Sequence, residues 1–150
     1  DNIYIIVKES IIRLVKSIYP DTDVFAEEIS KTDFDEDSND ISNYFFIDLI
    51  PISNTTVDLY TTDCSILIDI VCYLKSEKNS DYLDVSQKLD DLIRPVFRFK
   101  DRAITIYTSN SKIVDHTLHY SFSLNFNYTS QDIAELPNME ELYTQINERA

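Results

Sequence analysis

The most regular pattern in the chain lies between Thr117 and Tyr128. Leu118, Tyr120, Phe122, Leu124, Phe126 and Tyr128 alternate with Thr117, His119, Ser121, Ser123, Asn125 and Asn127. Strict alternation of apolar and polar residues predicts a strand with one face on a core and one face wet. The run exceeds the usual five or six residues, as suits an antiparallel strand central to its sheet. A different period governs residues 3–19, where Ile3, Val7, Ile11, Leu14, Val15 and Ile18 recur every three or four positions. This spacing predicts a helix, with Lys8, Arg13 and Lys16 on its other faces and Pro20 marking its end.

Shorter patterns fill the space between. Val24 to Ile29 reads as a short strand, and 30–43 as a mobile acidic loop. Residues 44–52 form a strongly apolar strand, with Pro51 near its end where a missing N–H costs little. The Thr- and Asp-rich stretch 53–65 continues it as an edge or a hairpin, and 66–74 is a second buried strand. Ser80 is placed to cap a second helix, with Asp81 and Asp84 at its positive end. Its apolar face is drawn by Leu83, Val85, Leu89, Leu92, Ile93 and Val96, with Pro95 near its end. Phe97 to Phe99 and Ala103 to Thr108 read as short strands around a polar turn at Lys100 and Asp101. Pro137 suits the first turn of a C-terminal helix, whose apolar stripe is Met139, Leu142, Tyr143 and Ile146. The order is helix, three strands, helix, two or more strands, helix. It predicts an α+β fold with a mostly antiparallel sheet and helices packed on one face, built as one domain over 1–150.

Composition narrows what such a domain does. The length of 150 residues suits a single domain, and 43% hydrophobic with 27% charged residues suits ordinary globular folding. A net charge of −14 disfavours sequence-specific nucleic-acid reading, because that affinity comes from cations neutralising phosphates. It disfavours anionic membrane surfaces for the same reason. No apolar run approaches the roughly 20 residues needed to span a bilayer, and no secretory signal is expected. The chain has no glycine, so it lacks the usual form of phosphate-cradling loops and nucleophile elbows. Cys64 and Cys72 fall eight residues apart on one strand, roughly 26 Å, which is beyond disulfide reach. They read as free thiols in a reducing compartment.

Few groupings suggest chemistry. Asp33, Asp35, Asp37 and Asn39 alternate like calcium-loop ligands, but Asp40 stands where that loop needs Gly and Phe46 where it needs a bidentate Glu. The acids Asp33, Asp35, Glu36, Asp37 and Asp40 are instead candidates for docking a protein partner. His116 and His119, near Asp115, have metal-ligand spacing only on a helix; on a strand, an offset of three sends side chains to opposite faces. No serine, threonine or carboxylate pair is singled out by spacing as nucleophile or acid–base couple. The residues thus point to no catalytic group, no metal and no cofactor. The polar face of 117–127 is either solvated or a flat wet surface against a neighbouring subunit or tube.

Several stretches, taken in order, resemble the small phage tail terminator family of Firmicute phages, phage-like elements and contractile bacteriocins. They are Ala26-Glu27-Glu28-Ile29, Phe46-Ile47-Asp48-Leu49-Ile50-Pro51, Asp69-Ile70-Val71-Cys72-Tyr73, Leu89 to Val96 ending in Arg-Pro-Val, and Ile113-Val114-Asp115 with Leu118-His119 and Phe122. The longer acidic loop at 30–43 and the absence of glycine depart from the family pattern. The resemblance implies a non-enzymatic structural subunit of a ring, commonly a hexamer, on the head-proximal end of a tail tube. Its implied partners are its own copies, the tube protein, and the sheath and neck proteins. It would assemble in the host cytoplasm and then belong to the virion tail or bacteriocin particle. Competing readings are another neck or head–tail joining protein, a small-molecule or metal-binding α+β domain, and a hydrolase.

Overall fold

The chain runs α1 (Ile3–Ile18), β1 (Asp23–Phe25), β2 (Tyr44–Thr56), β3 (Thr61–Tyr73), α2 (Asn79–Ile93), β4 (Val96–Phe99), β5 (Arg102–Thr105), β6 (Ser109–Val114) and β7 (Thr117–Thr129). The computed structural model describes residues 2–26 and 42–129. Five strands form one sheet in the order β1-β2-β3-β7-β6, and β4 and β5 form a separate two-stranded ribbon. All pairings are antiparallel except β1 with β2, so the fold is α+β with a mostly antiparallel sheet, as the order of patterns implied. The C-terminal helix expected from Pro137 lies outside the described residues, as does the end of the first strand beyond Ala26.

Alternation decides which side of the sheet becomes the core. Cys64, Ile66, Ile68, Ile70 and Cys72 of β3 stand opposite Phe126, Leu124, Phe122, Tyr120 and Leu118 of β7, and all ten are buried. Phe45 and Ile47 of β2 extend this face. Against it pack Ile3, Val7, Ile11 and Val15 of α1, one stripe at helical spacing, and Tyr82, Val85, Leu89 and Ile93 of α2. Phe97 and Phe99 of the ribbon close the layer, their rings 6.0 Å from Phe122 and 5.2 Å from Phe126 respectively. Both helices and the ribbon therefore cover the same side of the sheet. Cys64 and Cys72 are free and buried there, and burial pushes the Cys72 thiol up to about 12.

Several expectations are corrected in detail. Leu83 is 64% exposed and Val96 also faces outward, because Tyr82 turns inward instead. Its hydroxyl donates to the His116 carbonyl and accepts from the Leu74 N–H at 3.1 Å. Those bonds tie α2 to the end of β3 and to the β6–β7 turn, which a leucine cannot do. Ser80 does not cap α2: the N-cap is Lys78, without a side-chain bond. Pro51 lies within β2, not near its end, and the register with β3 shifts just after it. β1 pairs only with Tyr44 to Phe46, so Pro51 stands where β2 is an edge among the described residues, a position proline tolerates.

Candidate functional site

An interface is built from what the core leaves over. Ile50, Ile52, Val57 and Leu59 are 41%, 56%, 54% and 67% exposed. They fall within one stretch of ten residues, on the outer part of β2 and the turn that joins it to β3. The sequence pattern assigned Ile50 and Ile52 to a buried strand. Among the described residues β1 pairs no further than Phe46, and the bulge after Pro51 breaks alternation, which leaves both side chains exposed. A long edge strand carrying apolar side chains invites another chain to pair with it, and peptide recognition by strand addition uses such edges.

The turn is held in one shape. The Asp58 carboxylate accepts from the N–H groups of Tyr60 and Thr61, both at 2.8 Å, and the Val57 N–H donates to the Thr61 carbonyl at 3.0 Å. The Tyr60 N–H, with the Thr61 bonds, keeps the Asp58 carboxyl below its ordinary range. Asn54 donates to the Tyr4 hydroxyl at 3.1 Å, fixing the edge to the start of α1. Val57 and Leu59 are therefore presented on a defined loop.

The second surface is the side of the sheet that neither described helix covers. Phe46, Asp48 and Ile50 of β2, Ser65, Leu67, Asp69 and Val71 of β3, and His119, Ser121, Ser123 and Asn125 of β7 share it by register. Asp48 stands directly opposite Asp69. Asp69 Oδ2 meets His119 Nδ1 at 3.0 Å, while Asp69 Oδ1 is buried with no hydrogen-bond partner. Toward the far end the face turns polar, and a shallow depression of about 430 Å³ lies among Ser53, Asp63, Ser65, Asn125 and Asn127. Ser123, Asn125 and Asn127 are exposed, whereas Thr117, His119 and Ser121 are half-buried.

The other candidates separate. His116 lies in the β6–β7 turn, 4.0 Å from Glu77, while His119 pairs with Asp69, so the two histidines have different partners. No group of three or more His, Cys, Asp or Glu suited to a metal occurs among the described residues. Among the described residues, His119 bonds to Asp69 and to no serine or threonine hydroxyl. The acidic loop residues Asp33, Asp35, Glu36, Asp37 and Asp40 lie outside the described residues. No described helix is long and apolar enough to cross a membrane.

A half-buried polar node, invisible to pattern reading, joins the helix layer to the sheet. Asp90 on α2 accepts from Ser109 Oγ at 2.6 Å, Tyr120 Oη at 2.9 Å, and the Arg94 guanidinium at 2.9 and 3.1 Å. Arg94, then Ser109 and Tyr120, hold the Asp90 carboxyl down at about 2, while burial pushes the Tyr120 phenol up. The node joins α2 to β6 and β7. Arg94 precedes the cis peptide to Pro95, within the Arg-Pro-Val stretch noted in the sequence.

No curated protein matches the chain. The family described as phage tail terminator protein matches residues 6–135, which takes in every described strand and helix except the first residues of α1. An exposed apolar edge, a sheet face that no described element covers and a match across most of the chain converge on a structural, tail-associated role, and this protein belongs to the phage tail terminator family.

Proposed function

We propose that the chain is the ring-forming subunit that caps the head-proximal end of a tail tube and stops its polymerisation. In a contractile tail or bacteriocin particle it also holds the top of the sheath, and in a complete phage it presents a surface to the neck. Assembly takes place in the host cytoplasm, and the ring, a hexamer, then travels with the particle. Family membership over residues 6–135 carries this reading. The exposed run from Ile50 to Leu59 supports it, because a capping subunit needs apolar surface reserved for the tube end and for its own copies.

The test is electron microscopy of tails from producing cells with the protein labelled. Label at the tube end opposite the baseplate, with tails of uncontrolled length when the gene is deleted, is the expected result. Label along the tube, at the baseplate, or missing from particles would overturn the assignment.

A further inference from the structure

Charge is distributed unevenly for a chain of net −14. The elements α1, β4 and β5 with their turn carry Lys8, Arg13, Lys16, Arg98, Lys100 and Arg102, against only Glu9 and Asp101. Arg13, Lys16 and Arg98 are exposed. Arg13 and Lys16 lie on the side of α1 away from its buried stripe, and Arg98 lies on the side of β4 away from Phe97 and Phe99. Ile5 and Val96 are exposed on the same outer layer. The sheet face that no described element covers has the opposite balance among the described residues. Asp23, Asp48, Asp63 and Asp69 lie on it by register, with Lys112 and His119 as its basic groups.

The acidic face also carries a built-in cost. Asp48 and Asp69 stand directly opposite each other on neighbouring strands, and like charges in that position destabilise a sheet. His119 answers one oxygen of Asp69; the other oxygen is buried without a partner. Phe46, Ile50, Leu67 and Val71 lie beside the carboxylates on the same face, so apolar area adjoins the charges there.

We propose that the open sheet face docks the outer face of α1 and β4 of a second copy of this chain, with Arg13, Lys16 and Arg98 meeting Asp48, Asp63 and Asp69. The two patches lie on opposite sides of one molecule, since α1 and the ribbon cover only the inner side of the sheet. Pairing like with like would set acid against acid or cation against cation. The contact is therefore heterologous, front to back, the kind that repeats from copy to copy and closes into a ring when its rotation allows. Ile5 and Val96 supply apolar area to meet Ile50, Leu67 and Val71. This inference rests on the self-assembly in the proposed function and names its interface.

The test uses sedimentation velocity of the full chain at low and high salt. Wild type is expected to self-associate at low salt and to dissociate as salt rises, because exposed charge pairs are screened within a few Å at about 1 M. The variant Arg13→Glu/Lys16→Glu/Arg98→Glu and the variant Asp48→Lys/Asp63→Lys should each associate roughly tenfold to a hundredfold more weakly. Mixed in equal amounts they should associate again, since each reversed patch then meets its complement. Asp69 is left unchanged so that its pair with His119 survives, and circular dichroism checks that both variants are folded. A wild type that stays monomeric at low salt and high concentration overturns the interface. So do folded variants that associate like wild type, or a mixture that does not recover. Loss of this interface with label still confined to the tube end would leave the capping role standing. Recovery on mixing without tube-end label would do the reverse.

Discussion

The two faces of β3 and β7 are made by the same backbone and differ in what finishes them. On the inner face every residue from Cys64 to Cys72 and from Leu118 to Phe126 is buried against α1, α2 or the ribbon. On the outer face the same strands present Ser, Asn, Asp and His among scattered apolar groups. The inner face is completed within the chain, so its residue types are dictated by packing. If the outer face is completed from outside, as proposed, its residue types answer to charge and shape on a partner. Substitutions on the first should register as stability, and on the second as assembly.

The sharpest way to break that comparison is to change neighbouring residues of β7. Phe122→Ala empties a site that touches Phe97 and Tyr120 and should cost about 3–5 kcal/mol, on the order of 10 °C in Tm for a domain of this size. Ser121→Ala, one residue away on the other face, should stay within about 0.5 kcal/mol. Equal losses in thermal melts would show that the outer face is also packed within the chain.

Asp90→Ala comes next. It removes the acceptor of Ser109, Tyr120 and Arg94 and leaves the buried Tyr120 hydroxyl without its carboxylate acceptor, a loss of about 2–3 kcal/mol. The wild-type node also predicts a pH dependence. Its carboxyl is held at about 2 in the folded chain, first by Arg94, below the ordinary value of about 3.9. A depressed folded value stabilises above the unfolded pKa and loses that contribution as pH falls toward 2. Denaturant melts of wild type should therefore weaken between about pH 4 and pH 2, and the alanine variant should weaken less over that window. Parallel curves would detach the node from acid stability.

The same division explains what was legible in the sequence. The strand at 117–129 and the helix at 3–18 emerged almost to the residue, because alternation and helical spacing report the inner face directly. The polar edge strand β6, Ser109–Val114, left no such trace. It touches little of the core and is defined by pairing with β7. Tyr82 was passed over for Leu83, because the Leu74 and His116 groups that its hydroxyl bridges are brought together only by the fold. The Asp90 node joins residues up to thirty positions apart and is equally out of reach of local pattern. The outer face was legible only as a list of polar residues. Its facing carboxylates and its exposed edge depend on register and on where β1 ends.

A smaller effect, opposite in sign, sits where β6 turns into β7. Asp115 and His116 both have positive φ, 51° and 60°, as two-residue hairpins of this twist require. Left-handed conformations penalise residues with a Cβ, and this chain has no glycine to relieve them. His116→Gly creates the favoured Asp-Gly turn while keeping the carbonyl that Tyr82 bonds. It should add about 0.5–1 kcal/mol, or roughly 2 °C, without touching either face of the sheet. A fall in Tm would mean that the 4.0 Å approach of His116 to Glu77 outweighs the backbone.

The smallest stability effect is expected at the residues with the largest exposure. Ile52→Ser and Leu59→Ser together remove apolar groups that bury little within the chain, so Tm should move by no more than the ~0.5 kcal/mol typical of surface changes. If the edge and turn of β2 serve the tube end, the same double variant should give tails of uncontrolled length from cells that make normal amounts of folded protein. A variant that melts like wild type and still caps tails at the wild-type length would remove these side chains from the interface, leaving the sheet face to carry assembly alone. A variant that unfolds would instead place Ile52 and Leu59 with the inner face, against the separation of packing from partner contact on which the comparison of the two faces rests.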